Sequence, residues 1–315
     1  MSLPVQPAHT LDSLPTDSSR WLIEGLWAEQ AVGIIGGEPK SGKSFLVLDM
    51  AVALASGTAC LGRFAVPKTA RVLLFSAEDP PALLRSRLDG ICQARHACLA
   101  QLDIQVITAP YLWLDLAEDR KALTDTVREL QPKLLLLDPF VRLHRIDENN
   151  SSEVAGLLGF LRHLQREFHL AVALVHHTRK AAHHLRAGQA LRGSSDLHAW
   201  GDSNLYLRRH AHQLTLTLEH RAAPGSADIP LRLDGENGAL ALSVAENSPQ
   251  LHSPVPSSSA IEHVRLTLAQ AQAPLSFHAL RQACRIRTAS LCQALHQLQR
   301  QRLVLKTPLG FRLAP

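Results

Sequence analysis

A chain of 315 residues with 46% hydrophobic content can bury one large α/β core and a smaller second one. No apolar run approaches the ~20 residues needed to cross a bilayer, and Met1–Arg20 is polar, without a charged start leading into an apolar core, so cytoplasmic residence with no membrane partner is expected. Cys60, Cys92, Cys98, Cys284 and Cys292 are scattered and never spaced C-x-x-C, which argues against a disulfide framework and a zinc finger. The net charge of +5 is unevenly placed: Ala260–Pro315 holds eight basic residues and one acidic, or +7, leaving −2 for the rest.

Residues 1–18 are rich in Pro, Ser and Thr without periodicity and read as a flexible lead-in. Trp21 and Trp27 then bring bulky groups just ahead of the first strand; core packing is expected of them, with base stacking as the alternative. The apolar run Ala31–Gly36 predicts a strand, and Phe45–Leu54 a helix. Arg71–Glu78 predicts an apolar strand ending in acid. Asp79-Pro80-Pro81 opens a helix running to about Ala97, with Asp79 as its cap and Pro80 in its first turn. Further strands are expected at Ile104–Ile107, Lys133–Asp138 and Leu170–Val175, with helices at Arg120–Leu130 and Ser152–Phe168 between them. Four consecutive leucines before Asp138 mark a strand buried on both faces, and the alternation as a whole specifies an α/β, doubly wound sheet. From Ser203 the spacing shortens to alternating strands, expected to extend the sheet edge antiparallel.

Asn247–Ser259 is Pro/Ser-rich and reads as a linker between a large α/β domain at 19–246 and a small domain at 260–315. In the small domain, helices at Ala260–Gln272, Ser276–Cys284 and Thr288–Arg302 precede a strand-turn-strand at Leu303–Leu313. Three helices and a hairpin predict a winged helix, whose last helix would offer Arg287, Gln293 and Arg302 to duplex DNA. Dimerisation or protein docking by the same fold is the alternative.

The chemistry centres on Gly37-Glu38-Pro39-Lys40-Ser41-Gly42-Lys43-Ser44, which meets the pattern G-x-x-x-x-G-K-S/T between a strand and a helix that starts at Phe45. Glycines let successive N–H groups and the helix N-terminus converge on one anion. Lys43 would reach the β- and γ-phosphates of ATP, and Ser44 would sit on Mg²⁺ with Asp138 as the second metal-positioning group. Glu78 is the expected base for the attacking water, with Asp79 as competitor. His176-His177 end a strand tip facing the γ-phosphate, and strand alternation lets only one of them face it. With His183 and His184 they match no metal-ligand spacing.

The order of Ser76-Ala77-Glu78-Asp79-Pro80-Pro81, Leu-Leu-Leu-Leu-Asp138-Pro139, Asp147-Glu148-Asn149-Asn150, His176-His177-Thr178-Arg179-Lys180 and Arg192-Gly193-Ser194-Ser195 resembles plasmid RepA-type hexameric replicative DNA helicases, which are RecA-like ATPases. The likeness runs over about residues 20–245. It implies a RecA-like core with antiparallel edge strands, a homo-hexamer with ATP at subunit interfaces, Glu78 as base, His177 as γ-phosphate sensor and single-stranded DNA in the central hole. It also implies that Arg179, Lys180, Arg186 and Arg192 face that channel, and that Arg221 reaches a neighbour's ATP, although Glu219 stands where related helicases carry a lysine. A winged helix is not expected in those plasmid helicases. The leading expectation is therefore an ATP-driven DNA helicase or translocating motor in plasmid or mobile-element replication. The competing readings are an ATP-controlled DNA-binding regulator and a signalling ATPase that docks proteins.

Overall fold

A strand that is apolar on both sides needs helices over both faces. In the computed structural model the run ahead of the glycine-rich loop is such a strand, β3 (Val32–Gly37), buried along its whole length. Residues 3, 5–10, 20–177, 196–210, 213–236, 239–245, 258–271, 273–284, 291, 294, 295, 298, 303–307 and 310–314 are described. The chain divides into two units, Met1–Glu246 and Asn247–Pro315.

In the first unit β1 (Trp21–Ile23) and β2 (Trp27–Ala28) pair antiparallel ahead of β3. Trp27 is fully buried, so it packs in the core. After β3 come α1 (Lys43–Ser56), β4 (Val72–Ser76), α2 (Pro81–Ala94) and β5 (Ile104–Val106). Next are α3 (Ala117–Leu130), β6 (Leu134–Asp138), α4 (Ser151–Phe168) and β7 (Ala171–His177). A short α5 (Asp196–Trp200) leads to β8 (Ser203–His210), β9 (Gln213–His220), β10 (Ser226–Glu236) and β11 (Ala239–Val244). Among the described residues β3 to β11 form one nine-stranded sheet, in the order β11-β10-β9-β8-β3-β7-β6-β4-β5.

The antiparallel edge begins one strand later than expected. β8 runs parallel to β3 as an interior strand between β3 and β9, and Ser203–Leu207 is buried on both faces, with Leu205 and Leu207 in one core layer and Tyr206 in the other. From β9 onward the pairing is antiparallel, and Leu214, Leu216 and Leu218 alternate inward.

Alternation along the parallel strands sorts the core into two layers. Val72, Leu74, Leu134, Leu136, Ala173 and Val175 join α1 and α2 on one face. Leu73, Phe75, Leu135, Leu137, Val172 and Leu174 join α3 and α4 on the other. Within the α1 layer, fully buried Asp49 pairs with Arg95 at 2.7 Å and accepts the Leu61 N–H, while Arg95 also donates to the Leu242 carbonyl. A buried charge must be paired to be tolerated, so this pair fixes the register of α1 against the end of α2 and β11.

In the second unit, α6 (Ser258–Gln270) and α7 (Phe277–Cys284) precede an antiparallel hairpin of β12 (Val304–Thr307) and β13 (Gly310–Leu313). Val264, Leu268, Leu280, Leu291, Leu295, Leu298 and Val304 share its core. Arg287, Gln293 and Arg302 lie outside the described residues. Among the described residues, no helix is long and apolar enough to cross a membrane.

Candidate nucleotide-hydrolysis site

The loop between β3 and α1 is shaped by close backbone approach. A Cβ on Gly37 would lie 2.6 Å from the Leu207 carbonyl oxygen, and Gly42 stands at φ 91°, a left-handed value that favours glycine. Gly42 turns the chain directly into α1, so the free N–H groups of the first turn open onto the loop. Lys43, buried, folds back and donates to the Gly37 carbonyl at 3.0 Å and the Glu38 carbonyl at 2.8 Å. Ser41 Oγ is buried without a hydrogen-bond partner. Pro39 and Lys40 are exposed at the loop's crest, and the Phe45 ring lies under the Arg87 guanidinium.

Three strand tips converge beside this loop. Asp138 lies opposite Ser76 in the parallel register, and His177 opposite Gly37. Counting along β6 puts Asp138 on the α1 face, where its carboxylate accepts a hydrogen bond from Ser44. The same count along β7 separates the two histidines. His176 falls on the α4 face, buried, with its ring edge on Phe140 at 5.9 Å. His177 falls on the α1 face with the loop, partly exposed. Glu78, just past β4, is half-exposed and pairs with Arg142 at 3.3 Å.

Asp79 does not cap α2. The residue before a proline is held out of the helical region, so Pro80 is extended at φ −58°, ψ 147° and becomes the N-cap, with Pro81 in the first turn. That displaces Asp79 by one position, and its carboxylate pairs with Arg87 instead. The competition between Glu78 and Asp79 therefore turns on their ion pairs rather than on capping.

Burial dominates the electrostatics. It lowers the Lys43 pKa to about 8, against the opposing attraction of Asp138, Glu78 and Glu38. It raises the Asp138 pKa to about 6, against the Ser44 hydrogen bond and the Lys43 charge, with the Asp79 and Glu78 carboxylates adding to the rise. Each charge thus sits in a site that compensates it incompletely. The arrangement fits a magnesium nucleotide: Lys43 and the loop N–H groups suit phosphate oxygens, the unpartnered Ser41 hydroxyl can donate to one, and the Ser44–Asp138 oxygens suit a hard cation.

Arg221 lies at the opposite end of the sheet. β9 runs back from the loop end of β8, so His220 pairs with Ser203 and Arg221 stands beside the start of β3. Its guanidinium pairs with Asp202 at 3.1 Å and donates to the Ala199 carbonyl at 2.6 Å. It lines a cleft of about 400 Å³ with Arg20, Trp21, Asp202 and His220. His220 bridges Ser203 Oγ and the Gly25 carbonyl, and Glu219 pairs with His198 at 2.8 Å. Arg179, Lys180, Arg186 and Arg192 lie outside the described residues.

A family model described as an AAA domain (AAA_25) matches residues 2–183, more than half of the chain. The chain belongs to this AAA domain family. Among solved structures, the AAA domain protein is similar to one described as an ATPase domain. The TM-score is 0.53 at 15% identity, over 70% of this chain and 87% of that one. It is also similar to a DnaB-like replicative helicase solved for its interactions with primase, with a TM-score of 0.53 at 14% identity. That match covers 68% of this chain and 57% of the longer one. At these identities the likeness shows the fold alone, an α/β core with a central mixed sheet that resembles RecA-like ATPase domains.

Three features of the AAA domain protein escaped the sequence reading. Arg142 holds Glu78 from the loop that follows Asp138. Asp202 is a hub that binds Arg162, Arg221 and the Val32 N–H. Tyr111 stacks on Trp113 beside Arg145. A basic residue four positions past the strand-end acid was the one available signal, for Arg142.

Proposed function

We propose that this protein is an ATP-hydrolysing DNA-translocating motor, resembling plasmid RepA-type replicative helicases, that assembles as a homo-hexamer with single-stranded DNA in its ring. The observation that carries this reading is the separation of Arg221 from the loop of its own chain. β3 alone spans six residues between them, about 17–20 Å of strand. An arginine finger so placed serves a neighbour's nucleotide, and head-to-tail repetition of that contact closes a ring.

In this reading Lys43 and the loop N–H groups bind and orient the phosphates, and His177 hydrogen-bonds the γ-phosphate from the β7 tip. Glu78 takes the proton of the attacking water. Magnesium, held through Ser44 and Asp138, would neutralise charge developing on the phosphate oxygens. Arg221 of the next copy stabilises the same charge from the other side. Arg179, Lys180, Arg186 and Arg192 would track the DNA backbone in the channel.

The second unit supports a duplex-binding role. It carries the basic end of the chain, and its helices and hairpin suit a winged helix presenting Arg287, Gln293 and Arg302. The same charge favours the second reading, an ATP-controlled duplex-binding regulator. Mass photometry with and without ATP, followed by ATPase measurement with single-stranded DNA, tests the motor. A chain that stays monomeric in every condition sinks the ring, and sequence-specific duplex binding without unwinding favours the regulator.

A further inference from the structure

Two loops at the carboxyl end of the parallel strands are stitched together: the Leu114 N–H donates to the Leu143 carbonyl at 2.6 Å. One follows β5 and carries Tyr111 and Trp113; the other follows β6 and carries Arg142 and Arg145. The two aromatic rings stack at 4.6 Å with 21° between their planes, and the Arg145 guanidinium lies 4.6 Å from the Trp113 ring centre. Asp115 anchors Arg145 at 2.9 Å. Tyr111 leaves 54% of its surface to solvent, an unusual place for a large ring. Arg142, 62% exposed, points to Glu78 rather than to the stack. Acids of the same loop face other partners: Asp147 holds Asn149, and Glu148 lies beside buried His144.

A stacked pair of rings with the Arg145 guanidinium against it suits unpaired bases, which stack regardless of sequence, and Arg142 on the same loop as Arg145 suits a phosphate between them. An ion pair between two half-exposed groups is weak, so a phosphate can draw Arg142 away from Glu78. We propose that Tyr111, Trp113, Arg142 and Arg145 form a contact surface for single-stranded nucleic acid, and that a backbone phosphate taking Arg142 frees Glu78 to act as base. Arg142 is thus a positioning residue that couples polymer binding to hydrolysis. The inference rests on the motor reading and adds to it a polymer contact outside the basic loop segment.

The test uses the full-length protein with a labelled oligothymidine, read by fluorescence anisotropy, and ATP turnover with and without that oligomer. Tyr111→Ala is expected to weaken binding about tenfold, the range for loss of one stacking partner, while Tyr111→Phe keeps wild-type affinity. Arg142→Ala is expected to raise turnover without DNA by up to about fivefold, the most that an exposed pair can restrain, and to reduce stimulation by the oligomer. Thermal melting checks that each variant is folded. Wild-type affinity in Tyr111→Ala, or unchanged DNA-free turnover in Arg142→Ala, overturns the inference and leaves the motor reading standing. A wild-type protein that does not bind the oligomer overturns both.

Discussion

The two ends of β3 carry charge in opposite ways. At the carboxyl end, Lys43 and Asp138 are buried and shifted toward their neutral forms, because the fold desolvates them more than it compensates them. At the amino end, Arg221 is 57% exposed and already satisfied by Asp202 and the Ala199 carbonyl. One end is thus a site that a charged ligand would relax, and the other is a donor held in reserve. In the motor reading, this difference leaves neither end a complete hydrolytic centre by itself. Charge that must be stabilised during the reaction would arise at one end of a chain, whereas the arginine suited to stabilise it stands at the other.

The largest loss is expected from removing the cation at the carboxyl end. Lys43→Ala is expected to lower ATP turnover by about 10²–10³ or more, since among the described residues its ammonium is the one buried positive charge beside the loop. Arg221→Ala should cost up to a similar factor in the assembled protein, reduced to the extent that Glu219, in place of a second cation, has already weakened the contact. Its signature is complementation. Each single variant should turn over slowly, yet a 1:1 mixture should regain turnover, because random head-to-tail assembly would leave about one interface in four with an intact loop and an intact arginine. A mixture no more active than its components would place Arg221 outside the reaction.

What could be read from the sequence follows the same division. The loop motif, Asp138 after four leucines and the alternation of strands were legible because each depends on local spacing and on burial of whole strands. The pairing of Glu78 with Arg142 was not, since 64 residues separate them and periodicity indicates which face a residue takes but not its partner. Asp202 is a sharper case. An acid before a strand is unremarkable in sequence, yet the fold brings Arg162 from α4, Arg221 from the end of β9 and the Val32 N–H onto one carboxylate. The error over Asp79 had a local cause that was available, because two consecutive prolines move a helix start by one residue. The parallel pairing of β8 with β3 was hidden for a different reason: its apolar run suits an interior strand of either direction.

The smallest expected effect concerns stability, and it isolates the carboxyl end from everything else. Asp138 holds its proton to about pH 6 in the folded chain and to about pH 4 when unfolded. Over that interval the folded state binds more protons, so this group's contribution falls as pH rises from about 4 to about 6, and the loss persists above it. Lys43 acts in the opposite sense at higher pH. The unfolded chain keeps a proton that the folded chain gives up near pH 8, so stability rises from about pH 8 to about 10.5. Near neutrality both groups are charged and the nucleotide-free fold carries both desolvation costs. Asp138→Asn removes the lower limb, and with it the Lys43 partner, so the net gain near pH 7 should be about 1–2 kcal/mol. Urea unfolding of the two proteins between about pH 5 and pH 8 should show curves that diverge as pH rises, while the variant has lost hydrolysis. Parallel curves would mean that the Asp138 carboxylate is no less comfortable in the fold than in water, and the contrast between the two ends of β3 would then lose its energetic basis.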